Sequence, residues 1–417
     1  MTLRRAMSMG AVQVAAGMAI SFVSIKITSK FLGPAGMGIV GQLTYFMSIA
    51  QGCLALGAST GIVRRMEELS GERQRLAVAM SSVGWLMLFC GLPLAVAVGV
   101  FAPFLATQVL EAPEHSLAFV AFACTYAFGL IAAVPAACSI GAKDYKTTTL
   151  ANVGIQAGCF VAMAALVITA GLDGGLYAAA LTPVITLLVW YGLGVRRPWW
   201  PRRMLGHGFS WPEARATLSF VPKAIITSIG MPLLQLLVAD AVQTAGGKEG
   251  MGCLRGVNRL SDMMLTVCGG LFTMYFLPRF TEIRKRDELR RELTRTSLLI
   301  VPAMASIAFL IWLLRDFVIE SLFAPEFRPM RELFAWQMAG TVLKIVSWIL
   351  AYVLLAKLSG TALAVLEGAT IFAMWASAKW CIGEYGVVGA TMAYCGTYAI
   401  YTVVVAVLVR GVMRRMP

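Results

Sequence analysis

From Gly250 to Phe280 the chain reads GMGCLRGVNRLSDMMLTVCGGLFTMYFLPRF, an apolar stretch longer than the roughly 20 residues a helix needs to cross a bilayer. Polar groups nevertheless sit in its first half: Arg255, Asn258, Arg259 and Asp262. At about 100° per residue, these four share one narrow helical face with Thr266 and Gly269. Leu254, Val257, Leu260, Met264 and Val267 take the other faces. A membrane helix must turn such a stripe toward protein or water, because hydrocarbon offers a charge no partner. Asp262 stands three residues from Arg259 and neutralises one arginine, so the stripe stays positive.

The rest of the chain repeats this apolar character. Of the 417 residues, 59% are hydrophobic and 13% charged, against about 45–50% and 25% in soluble domains. Apolar runs recur along the whole length, which predicts a polytopic helical membrane protein. The strict alternation of about 10 residues that marks a barrel strand is missing.

Read in order, the runs predict twelve spans. They fall at about 8–31, 41–63, 78–101, 117–140, 150–170, 176–193, 220–241, 250–280, 297–314, 333–356, 361–380 and 387–409. Phe31–Gly38 (FLGPAGMG) reads as a tight turn between the first two. The longest polar connection in the middle begins VRRPWWPRRM, whose Arg and Trp suit a membrane surface. It divides six spans from six, so the expected lobes are 1–205 and 206–417. In span ten, Gln337, Thr341, Lys344, Trp348 and Ala351 lie along one face. Prolines 93, 135, 222, 232 and 302 fall within spans, where bends and tolerated packing kinks are both open readings.

The formal charge of +14 invites a nucleic-acid reading, which its distribution removes. With the N-terminus in the cytoplasm, twenty-four Lys and Arg fall in inside segments. Only Lys248, Arg315, Arg328 and Arg331 fall outside. The positive-inside rule thus places both termini in the cytoplasm. Seven further cations, in or at the edges of spans, complete the 35: Lys26, Lys30, Lys223, Arg255, Arg259, Lys344 and Lys379. Only three acids accompany them, Asp240, Asp262 and Glu367. A charge near the bilayer centre costs about 2.5–3.5 kcal/mol on insertion scales. Lys30, Lys223, Arg255 and Lys379 stand near span ends and can reach the interface; Lys26, Arg259 and Lys344 are deeper. A central cationic, water-accessible cavity explains this excess better than scattered ion pairs between helices. The expected fold is therefore all-α, twelve transmembrane helices in two six-helix lobes around that cavity.

The chemistry the chain lacks narrows its function. There is no GxxxxGK[ST] phosphate loop, no GxSxG and no carboxylate pair at a plausible site. The three dispersed acids do not resemble a Mg²⁺ site. Nine cysteines sit mostly singly in apolar segments without a CxxC, and the two histidines, His115 and His207, fall in loops. No enzyme, cofactor or metal is expected. The cations instead suit an anionic substrate, since the arginine fork makes bidentate, charge-assisted bonds to phosphate.

Several short strings carry a family likeness. Phe31–Gly38 (FLGPAGMG), Phe276–Thr281 (FLPRFT), Trp312–Phe317 (WLLRDF), Leu333–Gln337 (LFAWQ) and Val342–Lys344 (VLK), in this order and spacing, resemble the Wzx-type flippases. The likeness is densest from about Ser219 to Lys357. It implies the multidrug/oligosaccharidyl-lipid/polysaccharide exporter superfamily, with a twelve-span, V-shaped, two-lobed fold. It further implies transfer of an undecaprenyl-pyrophosphate-linked oligosaccharide from the cytoplasmic to the periplasmic leaflet of a bacterial inner membrane. The product would be enterobacterial common antigen or a related polysaccharide, with the lipid bilayer, a polysaccharide polymerase and chain-length proteins as partners.

The likeness assigns no binding residue, so the site expectation rests on the cations. Arg255, Arg259, Lys344 and Lys26, with Asn258 and Lys223, are expected to hold the pyrophosphate. Asp262, Glu367 and Asp240 are expected to tune it or to couple ions. Two rivals are an ion-coupled multidrug antiporter of the same superfamily, which calls for unpaired acids deep in the spans, and a non-transporting scaffold for polysaccharide assembly.

Overall fold

A computed structural model describes the backbone at residues 3–69, 72–200, 206–218, 221–272, 276–357, 360–414 and 416. Side chains are described there except at 3–12, 53, 54, 56–58, 60, 73, 218, 221–228, 270, 271, 277, 278 and 360–363. The described residues form helices α1 (Leu3–Glu68), α2 (Arg73–Val100), α3 (Ala102–Leu110), α4 (Ser116–Gly141), α5 (Tyr145–Gly194), α6 (Trp211–Leu218) and α7 (Val221–Leu271). They continue with α8 (Leu277–Glu282), α9 (Arg286–Leu313), α10 (Arg315–Leu322), α11 (Phe334–Lys357), α12 (Gly360–Tyr385) and α13 (Val387–Arg414). No strand occurs among them. Among the described residues, eight stretches are long and apolar enough to cross a membrane. Large apolar side chains stand exposed on their outer faces, Phe89 and Val96 on α2 or Leu298 and Leu299 on α9, as lipid rather than water requires.

Three of these stretches are far longer than a bilayer is thick: α1 has 66 residues, α5 has 50 and α7 has 51. Each is broken by one glycine, Gly33 (φ 61°), Gly171 (φ 56°) and Gly247 (φ 66°). A side chain at positive φ would crowd the backbone, so glycine is the residue that permits the break. Gly386, also at positive φ (59°), separates α12 from α13.

The chain forms two compact units, residues 1–32 with 39–236, and 33–38 with 237–417. In the first, α4 packs against α5 and α2. Hydroxyls reach across to backbone carbonyls: Thr125 Oγ1 donates to Ala180 at 2.6 Å, and Tyr126 Oη donates to Ala50 at 2.7 Å. Such bonds hold membrane helices together where the hydrophobic effect between them is absent. Asp144 caps α5, accepting from the Thr147 amide at 3.2 Å, and also accepts from Trp199 Nε1 at 3.0 Å. That pins the VRRPWW segment by the first of its tryptophans. Glu213, in the short α6, pairs with Arg65 at the end of α1 and with Arg75 (3.4 Å) at the start of α2.

In the second unit α11 is central, lying against α13, α9 and α8. Gly340 lets α13 approach closely, since a Cβ there would collide with the Tyr394 ring. The Phe31–Gly38 turn docks on α7: a Cβ at Gly252 would overlap the Pro34 carbonyl. Phe272 stacks near Tyr352 (5.4 Å between centroids) and edge-on to Trp348 (6.4 Å).

Candidate cation site in the second unit

The second half of α7 carries the mixed stripe, and the structure gives its two sides different fates. Leu254, Val257, Leu260 and Met264 are buried, as is Ser261. Arg255, Asn258 and Arg259 are half-buried, and Asp262 and Thr266 are exposed. The apolar faces therefore make the packing surface, and the polar stripe lies on the more open side.

Ser261 ties this helix to α11. Its Oγ accepts from Gln337 Nε2 at 3.0 Å and from Thr341 Oγ1 at 2.9 Å. Gln337 and Thr341 are both buried, so neither can exchange this partner for water without a penalty. The clamp fixes the register of the two helices, and one turn further along α11 it presents Lys344.

Lys344 is only 9% exposed, unusual for a residue type almost never fully buried unless paired. Its ammonium lies 5.1 Å from the ring centroid of Tyr398 and 5.7 Å from those of Trp348 and Tyr394. Three rings within about 6 Å of one cation form an aromatic cage, in which the negative ring faces replace part of the lost hydration. Asp262 lies within electrostatic reach of the ammonium. Among the described contacts no ion pair joins the two, so the cation keeps capacity for a further anion.

The cage rings continue along α13. Tyr394 and Tyr398 are 4.9 Å apart and Tyr398 and Tyr401 6.2 Å, both edge-to-face. Glu367 of α12, half-buried, is in electrostatic reach of Tyr401. A ladder of three tyrosines thus runs from Lys344 toward Glu367.

Of the residues singled out by sequence, the structure gathers Lys344 and Asp262, with Glu367 at the far end of the ladder. Arg255, Asn258 and Arg259 share the α7 stripe with Asp262. Lys26 lies in the first unit, exposed on α1. The side chain of Lys223 lies outside the described residues. Asp240 is exposed on the first half of α7 and lines a separate cleft. The tyrosines were missed by the sequence reading, although 394, 398 and 401 have the spacing of one helical face. Ser261 was missed too; it signals itself only as a small polar residue on an otherwise apolar face.

The family described as polysaccharide biosynthesis protein matches residues 27–332. Lipid III flippases of Escherichia coli (strain K12) and Shigella flexneri are each 25% identical over 398 residues, covering 94% of this chain and 93% of theirs. Among solved structures, an inward-facing multidrug resistance MATE family transporter of the MOP superfamily matches with a TM-score of 0.78 at 16% identity. That match covers 97% of this chain and 98% of the other. A MOP superfamily transporter from Pyrococcus furiosus, described by the reverse polarity of its binding pocket, matches with a TM-score of 0.65 at 16% identity, covering 99% and 96%. Likeness at this identity is likeness of fold.

Proposed function

We propose that this chain, which belongs to the polysaccharide biosynthesis protein family, is a flippase that carries an undecaprenyl-pyrophosphate-linked oligosaccharide across the bacterial inner membrane. The substrate is lipid III or a close relative, delivered from the cytoplasmic to the periplasmic leaflet for enterobacterial common antigen or a related polysaccharide. The observation that carries this reading is Lys344, a caged cation with no ion pair among the described residues, in a chain similar over 94% of its length to lipid III flippases. A buried ammonium with spare capacity suits a phosphate oxygen, and the arginines of the α7 stripe suit the same group through bidentate bonds.

Each of α1, α5 and α7 counts as two crossings about its glycine. With α2, α4, α9, α11, α12 and α13 the total is twelve, both termini are cytoplasmic, and residues 1–205 and 206–417 supply six each. Lys344, Arg255 and Arg259, with Asn258, hold the pyrophosphate in a water-accessible cationic cavity, to which Lys26 of the first lobe and Lys223 of the second contribute. Asp262 tunes Lys344, and Glu367 is the group placed to couple ions. The polysaccharide polymerase and chain-length proteins receive or regulate the product. Two repeats of six crossings suit alternating access.

The second reading, an ion-coupled multidrug antiporter, draws on the fold shared with MATE transporters. Cationic drugs call for unpaired acids in the spans, whereas seven span cations stand against three acids. Reconstitution separates the two. Purified protein in liposomes moves a labelled polyprenyl-pyrophosphate glycan between leaflets and does not exchange a cationic dye for protons or sodium. Dye exchange without glycan movement would reverse the assignment.

A further inference from the structure

The first half of α7 and the end of α12 enclose a cleft of about 410 Å³ that the cation site does not use. Its size falls within the range of about 300–1,000 Å³ typical of small-molecule sites. Its walls are mostly apolar, with Leu237, Ala378 and Ile382 among them, but two opposite charges face it, Asp240 from α7 and Lys379 from α12. Both are exposed, and no ion pair within 4 Å joins them. Lys379 lies instead over the Trp375 ring at 5.7 Å, and Trp375 also lines the cleft.

The two charges are level with each other. Asp240 precedes the positive-φ Gly247 by seven residues, and Lys379 precedes the positive-φ Gly386 by seven. Gly246 and Gly250 both face Val387, so the two breaks lie side by side, and at about 1.5 Å rise per residue each charge stands roughly 10 Å from the break in its segment. Trp380 and Tyr385 are exposed beyond Lys379, the amphipathic aromatics that mark a membrane–water boundary. The cleft therefore opens where lipid headgroups meet acyl chains, with one charge of each sign midway along an otherwise mostly apolar wall, Leu237 and Ala378 on one side of them and Ala245 and Ile382 on the other.

We infer that this cleft binds a zwitterionic membrane phospholipid with a primary ammonium headgroup, of the phosphoethanolamine type. The ammonium donates to the Asp240 carboxylate and the phosphate accepts from the Lys379 ammonium. A quaternary ammonium has no N–H to donate, and the Trp375 face that would attract it already carries Lys379. An anionic headgroup without an amine leaves Asp240 opposed and unsatisfied. The inference stands on the membrane location of the second unit alone, independent of what the protein carries.

Native mass spectrometry of the full-length detergent-solubilised protein tests it, using phosphatidylethanolamine, its N-monomethyl and N,N-dimethyl derivatives, phosphatidylcholine and phosphatidylglycerol. Wild type is expected to retain the ethanolamine lipid about tenfold over the choline lipid, the factor one charge-assisted hydrogen bond supports, with retention falling at each N-methylation. Asp240→Asn removes that preference, and Lys379→Gln lowers retention of all the zwitterionic lipids. Equal retention of ethanolamine and choline lipids by wild type, preference for phosphatidylglycerol, or an unchanged pattern in a folded Asp240→Asn overturns the assignment. The methylation series needs only wild type, so it decides the question even where a variant fails to accumulate.

Discussion

The Lys344 ammonium of α11 stands 5.1 Å from the ring centroid of Tyr398 on α13, and earlier along the same helix as Lys344, Gln337 and Thr341 donate to Ser261 of α7. The rings reach the ammonium because Gly340 lets α13 lie close against α11. A cation solvated by ring faces rather than by a carboxylate can accept an anion without first breaking an ion pair.

Replacing Lys344 by Met keeps the long side chain among the rings and removes only the charge. Glycolipid movement is expected to fall by about ten- to a hundredfold, the range of one charge-assisted bond to phosphate. The protein should still accumulate in the membrane at the wild-type level, and Lys344→Arg should recover part of the rate. Loss of accumulation with undiminished specific activity would make Lys344 a structural residue.

The α7 stripe should be reachable from water and the opposite face should not. In a background without reactive native thiols, Thr266→Cys is expected to label with a membrane-impermeant maleimide. Val257→Cys, whose site is buried, is expected to stay unlabelled in the folded protein. Labelling of Val257→Cys at the rate of Thr266→Cys would invert the helix orientation.

Much of this arrangement was legible in the sequence. The apolar runs gave helices because a chain in lipid must satisfy its backbone bonds internally, and Phe31–Gly38 announced a turn through its glycines and proline. The spacing of Gln337, Thr341, Lys344 and Trp348 put them on one face, and the structure buries the first three of them. The cage itself was not legible: Tyr394 and Tyr398 come from α13, and nothing local to Lys344 names its neighbours. The two sides of α7 were legible as a pattern, but not which of them packs, since a Leu–Val–Met face suits lipid as well as protein. The cleft at Asp240 was hidden for a further reason. Its two charges lie on helices far apart in sequence, and they come level only because the breaks at Gly247 and Gly386 pack side by side.

Gly252 should tolerate no side chain. A Cβ there overlaps the Pro34 carbonyl, whereas one at Gly368 meets nothing within 4 Å. Gly252→Ala is expected to cost about 1–3 kcal/mol as an overpacked contact and to lower the unfolding temperature in detergent. Gly368→Ala should leave it unchanged. Equal unfolding temperatures for the two variants would mean that the Pro34 turn does not seat on α7.

Asp144 links stability to pH. Burial pushes its carboxyl up, but hydrogen bonds from Thr147 and Trp199, with Arg197 nearby, outweigh that and hold it below the usual carboxylate range. A depressed folded-state value means that the ionised form stabilises the fold above the ordinary aspartate range near pH 4, and that this stabilisation fades as pH falls below it. Asp144→Asn should therefore lower the unfolding temperature at pH 7, with the gap to wild type narrowing toward pH 3. A gap that widens on acidification would contradict the sign.

The most direct measurement compares three lipids bearing the same glycan, joined to the polyprenol through a pyrophosphate, a monophosphate or an uncharged ether, in liposomes containing the purified protein. Recognition by Lys344, Arg255 and Arg259 predicts the fastest movement for the pyrophosphate, slower movement for the monophosphate and none above empty liposomes for the ether. Equal rates for all three lipids would show that the cations do not select the substrate and would contradict the account.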